Sequence, residues 1–241
     1  MPGQSFDNLM LLGRGGCGKS EFIDFLKNIP EKERLQKFKI GSFTEMDDFP
    51  WLYELLKDED IWEELGRPRA LAERRGHVYI TKDYDLYKFC TLKFNYEIKT
   101  KITPDFYKTS TLIMEFARGR DDGFKTAFEL LDKEILDKSV IFFLDNTFEE
   151  SMRRNTYRSH DNDLRQTILH HKVPIEVMEY YYKTNDWHTL TGNKPLGFIE
   201  VKGTKIPFVT VWNMPETHDL KELEIRYKEP LIKLWELNSQ R

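Results

Sequence analysis

GRGGCGKS, residues Gly13 to Ser20, follows the apolar run FDNLMLL (Phe6–Leu12). It precedes Phe22, Ile23, Phe25 and Leu26, apolar at helical spacing and stopped by Pro30. Glycine-rich backbone is poor material for an ordered core, so its place between a strand and a helix needs a reason. Gly13, four residues, then Gly18-Lys19-Ser20 is the spacing of a phosphate-binding loop. Glycines let consecutive backbone N–H groups turn toward one phosphate, and the helix that follows presents its partly positive end. Lys19 then reaches the terminal phosphates, and the Ser20 hydroxyl is a ligand for Mg²⁺. A chance match arises in roughly one chain of this length in a hundred, and here the strand and helix flanks also agree. Cys17 is read as a small residue that fits the loop.

Working outward, Phe38–Phe43, Thr109–Phe116 and Val140–Leu144 read as further strands, and Phe198–Val201 and Ile206–Trp212 flank a Lys202–Lys205 hairpin turn. Helical spacing is expected over 51–65, 85–102, 124–136, 148–159 and 173–187. It returns in a last stripe, Leu220, Leu223, Tyr227, Leu231, Leu234 and Leu237, with a bend at Pro230. Apolar strands alternating with helices predict an α/β fold, a three-layer sandwich with a mostly parallel five-stranded sheet covered on both faces. In such sheets ligands sit beyond the carboxyl ends of the strands. The polar clusters fall at those ends: Gly13–Ser20, Thr44–Asp48, Glu115–Gly119, Asp145–Thr147 and Asn213.

With 241 residues the chain is read as one domain, residues 1–241. A composition of 39% hydrophobic and 32% charged residues describes a globular chain with a charged surface, and the net charge of −4 argues against stable nucleic-acid or anionic-lipid binding. Two cysteines make no disulfide framework. No apolar stretch approaches the roughly 20 residues of a membrane span, and MPGQSFDN lacks the features of a signal peptide. A cytoplasmic location is the expectation, with a homodimer left open.

On GRGGCGKS, TLIMEFAR (Thr111–Arg118) and EESMRRNTYR (Glu149–Arg158), the chain resembles P-loop kinases of the nucleoside and nucleotide kinase group over most of its length. The resemblance implies ATP or GTP as phosphoryl donor with Mg²⁺, held by Gly13, Gly15, Gly16, Cys17, Gly18, Lys19 and Ser20, with Asn213 beside the base in a turn shaped by Pro215. It implies a lid over about 150–195 whose Arg153, Arg154 and Arg158 close on the transferring phosphate, joined by Arg165; the other reading of these arginines is a solvated basic face paired with Glu149 and Glu150. A carboxylate after the second strand would act as general base, Glu45 first and Asp47 second. Asp47 and Asp48 also read as helix caps ahead of Trp51, and Trp51 and Tyr53 as walls for a planar group or as core. Arg67 and Arg69 suit an anionic group on a small-molecule acceptor. Glu115 and Arg118 are candidates for metal-water ordering and acceptor binding, although EFARG departs from the Asp-Arg or Glu-Arg-Ser forms of better-known members.

The leading expectation is phosphoryl transfer from ATP to a nucleoside or nucleotide. The alternative is an NTP-driven switch acting on a macromolecular partner, and Asp145 after Val140–Leu144 fits the magnesium-binding aspartate of motor-type ATPases. A guanine-reading Asn-Lys-x-Asp motif is not met, because Asn193-Lys194-Pro195 ends in Leu196.

Overall fold

In the computed structural model, which describes residues 4–76, 78–81, 84–157 and 173–241, the run before the glycines is strand β1 (Asn8–Gly13), every residue of it buried. The chain continues as α1 (Lys19–Lys27), α2 (Glu31–Phe38), β2 (Ser42–Asp47) and α3 (Asp48–Glu64). A small hairpin, β3 (Ala72–Arg75) and β4 (Val78–Thr81), leads to α4 (Asp85–Lys101) and β5 (Ser110–Ala117). Next come α5 (Gly123–Leu130), α6 (Lys133–Leu136), β6 (Ser139–Asp145), α7 (Phe148–Tyr157), α8 (Ile175–Tyr182) and α9 (Trp187–Thr191). The strands β7 (Leu196–Val201) and β8 (Thr204–Trp212) and the helix α10 (Leu220–Asn238) complete the order.

The main sheet has the order β2-β5-β1-β6-β8-β7. Five strands are parallel and β7 runs antiparallel to β8. It therefore has six strands, not five, because the outer arm of the expected hairpin joins it as an edge. Alternation along each strand builds the two faces. Leu9 and Leu11 of β1, Ile113 of β5, and Phe142 and Leu144 of β6 join a core beneath α1, α2 and α10. Met10 and Leu12, Met114 and Phe116, and Ile141 and Phe143 join the opposite core with α5, α6 and Trp187 of α9. A third cluster, outside the sheet, packs α3, α4 and α8 together through Leu56, Tyr87, Cys90, Met178 and Tyr182.

Several boundaries moved from their expected places. The second strand begins at Ser42 because α2 continues through Phe38 and Lys39 closes it in the left-handed conformation, φ 60°. Residues 124–136 are two helices, parted by extended backbone at Leu131 and Asp132. Residues 173–187 hold α8, while Trp187 begins α9 and stacks on Phe143 with ring centroids 4.3 Å apart. Among the described residues no helix is long and apolar enough to cross a membrane.

Candidate active site

β1 is the switch point of the sheet: the chain leaves it toward β2 on one side, and β6 lies on its other side. The crevice beyond its carboxyl end is where such a fold takes ligands, and the glycine loop lies there. Gly18 caps α1 with φ 100°, a backbone that favours glycine, and a Cβ at this position would lie 2.3 Å from Asn213 Nδ2. The loop is braced from outside. Asn213 Nδ2 donates to Cys17 O at 2.8 Å, while its Oδ1 accepts from Arg226 (2.7 Å) and the Tyr227 hydroxyl (3.0 Å). Arg154 donates to Glu150, to Cys17 O and to Asn213 O, and Asn146 reaches Gly16 O. Arg14 ties the loop to the end of α8 through Tyr182 O and Lys183 O. Burial pushes the Cys17 thiol up, which keeps it protonated and inert.

The cleft in front of the loop holds about 870 Å³, counted out to its open mouth. Gly15, Gly16, Gly18, Lys19 and Ser20 line it, together with the acids Asp47, Asp48 and Glu115. Register explains the acids. β2 and β5 are parallel and Asp47 pairs directly with Glu115, while Met46, between the two β2 acids, enters the core on the far face. Asp47 and Glu115 thus stand side by side on the α1 face of the sheet. Lys19 Nζ lies 4.0 Å from Glu115 Oε1 and donates to Arg14 O at 3.3 Å. Burial, then the charges of Glu115 and Asp48, pushes the Asp47 carboxyl up to about 8.

Glu45 occupies the same face two residues earlier in β2, outside the cleft lining, and pairs with Lys27 at 2.8 Å. Asp47, not Asp48, caps α3, accepting from Phe49 N at 2.9 Å. Asp48 instead pairs with Arg118 at 2.6 Å. That arginine is buried and also donates to Tyr87 O and to Thr91 Oγ1, so it is a structural fastener outside the cleft lining. Arg67 lies over the Trp62 ring, and Arg69 is held by Asp60, Glu59 and the backbone of Ala72 and Leu56. The structure therefore does not bring Glu45, Arg67, Arg69 or Arg118 to the cleft. Arg153 pairs with Glu150 and Glu216 at the outer side. Arg158 and Arg165 lie outside the described residues. The other strand-end aspartate, Asp145, is bonded to His188 Nε2 at 2.9 Å and does not line the cleft.

Sequence reading missed the far half of the cleft. Phe49, Leu52, Tyr87, Cys90, Phe116 and Tyr182 line it, and the Tyr182 and Tyr87 hydroxyls lie 3.3 Å apart. Trp51 and Tyr53 are elsewhere, packed against Phe94 and Phe49 respectively. Phe49 and Phe116, each next to a strand-end acid, had a signal close enough in sequence to find them. Asn155, also at the cleft, exchanges two hydrogen bonds with the backbone of Val173. Glu21, Glu216 and His218 converge on the far side of the loop with ligand atoms within 4.8 Å of one another, but Glu216 is already paired with Arg153 and Arg154.

No protein-family model matches the chain, and no curated protein does. Solved structures similar to it include a sugar kinase from Janibacter sp. HTCC2649, at 11% identity and a TM-score of 0.41, with 96% of this chain and 98% of that one covered. Others are APE1195, at 12%, 0.44, 95% and 98%, and a shikimate kinase from Acinetobacter baumannii in complex with shikimate, at 16%, 0.34, 68% and 69%.

Proposed function

We propose that this chain is a kinase that moves the γ-phosphoryl group of ATP, or of GTP, to a hydroxyl of a small molecule. The observation that carries the reading is the meeting of Lys19 and Ser20 with Asp47 and Glu115 in one cleft, on strands that hold the two acids in register. Asp47, raised by burial and by the neighbouring Glu115, and the Ser20 hydroxyl in the same cleft form with Glu115 an oxygen donor set suited to Mg²⁺. Ser20 and Glu115 would hold it, and the metal would neutralise charge on the donor phosphates.

The loop amides and Lys19 grip the β- and γ-phosphates. The acceptor oxygen bonds to the γ-phosphorus as the bridge to the β-phosphate breaks, and NDP leaves. The acceptor's proton passes to Asp47, whose raised pKa suits it to receive a proton near neutral pH. Phosphoryl transfer asks mainly for positioning and charge neutralisation, so one placed carboxylate suffices. Arg154 would act through the loop it braces, and Arg153 is the arginine of α7 left to reach donor phosphates by exchanging its Glu150 and Glu216 partners. Within the expected lid, Trp187 is locked into the core.

The test is transfer of labelled γ-phosphate from ATP and GTP, with magnesium, across a panel of hydroxyl compounds. Lys19→Met is expected to lower kcat by about 100-fold or more, the scale of losing one preorganised charge at a developing negative centre. Donor hydrolysis stimulated only by a macromolecule, with no phosphorylated product, would replace this reading with the switch.

A further inference from the structure

We infer that the chain forms an antiparallel homodimer through the outer face of α10, with a second copy of the chain as the partner. The inference stands apart from the kinase reading. The inner stripe of this helix, Leu223, Tyr227, Leu231 and Leu234, is buried in the core it shares with α1 and α2. Its outer face is a shallow trough lined by α10 alone. Ile225 lies there 78% exposed, with Ile232 half-buried two turns further on. Pro230, inside the helix, is absent from this face.

What commits the face to a second copy is the order of its charges. Two copies crossing antiparallel about a two-fold axis between Lys228 and Glu229 set residues equally far from that point opposite one another. Lys228 then meets the partner's Glu229, and Ile225 the partner's Ile232. Glu224 meets the partner's Lys233, and Lys221 the partner's Glu236. Each pair recurs across the axis, so every residue lining the trough finds its complement over about 22 Å of helix. A parallel pair would instead set each charge against its own kind. Two ion pairs within the chain already use this face: Glu229 with Lys233 at 2.6 Å, and Glu224 with Lys37 of α2 at 2.7 Å. Both lie at the surface, where such pairs contribute little and exchange readily.

One helix face per copy falls at the small end of specific interfaces, so the expected Kd is about 10–100 μM. Exposed charge pairs are screened by salt, so association should weaken about tenfold between about 20 mM and about 500 mM ionic strength. Sedimentation equilibrium of the full chain, from about 1 to about 300 μM, reads both effects. Lys228→Glu and Glu229→Lys each set like charges together twice at the axis, and each should weaken association about tenfold or more. Mixed one to one, the two variants should associate again, because every clash at the axis becomes an opposite pair; a misfolded chain would not recover in this way. A native chain that stays single at the highest concentration overturns the proposal. So do single variants that dimerise as the native chain does, or a mixture that stays monomeric.

Discussion

Asp47 does two jobs that a single substitution separates. Its Oδ1 caps α3 through Phe49 N, while its charge is confined beside Glu115 and Asp48. Asparagine caps a helix about as well as aspartate, so Asp47→Asn keeps the cap and removes the charge. The folded carboxyl titrates near 8 and the unfolded one near 3.8. Between those values the folded chain holds the extra proton, so this residue's contribution to stability falls as pH rises from about 4 to about 8. Urea melts of the magnesium-free protein should show that fall, and Asp47→Asn should remove it, leaving the variant the more stable of the two at pH 8, by up to about 5 kcal/mol. Transfer should drop at the same time. Glu45→Gln is the matching control. Its partner is the half-exposed Lys27, and breaking an exposed pair costs about 0–1 kcal/mol, so kcat should stay within about twofold of the native value. A large loss would return Glu45 to the mechanism.

At the scale of elements, the closest passage is where the turn after β5 meets the end of α8. A Cβ on Gly119 would lie 1.5 Å from Tyr181 O, with no room to yield except by moving backbone. Gly119→Ala should therefore undock α8, cost about 1–3 kcal/mol, and raise amide exchange in residues 175–182. Because Tyr182 lines the cleft from that helix, acceptor KM should rise more than donor KM. None of this was visible in EFARG. What was legible in the sequence was local: the glycine loop, the buried runs of β1, β5 and β6, and the stripe of α10. β2 was misplaced because it is an edge strand with exposed Thr44 and Glu45, so the apolar signal slid back to Phe38, a helix residue. That slip put Glu45 at the strand's end and favoured it over Asp47. The tyrosine wall escaped notice because α4 and α8 bring Tyr87 and Tyr182 together across 95 positions. Arg67 and Arg69 read as anion binders, and Arg118 as an acceptor-binding residue, because sequence shows a charge without its partners.

Across the whole molecule, two cores clamp one sheet, and Trp187 is the largest fully buried side chain. It stacks on Phe143, meets Phe208 and Phe124 edge-on, and donates from Nε1 to Thr210 Oγ1 at 2.8 Å. Trp187→Ala should cost about 3–5 kcal/mol, lowering Tm by about 6–20 °C at this size, while donor affinity below the new transition stays near native. A joint loss of donor binding would show that α9 also supports the loop. The two sides of the cleft also differ in how firmly they are mounted. β1 and β5 are bonded to neighbours on both edges, and β2 on one alone. Lys19 and Glu115 therefore stand on the stiff middle of the sheet, and Asp47 on its most compliant margin. On the proposed kinase reading, the margin would give to fit acceptors of different girth while the phosphate seat keeps its shape.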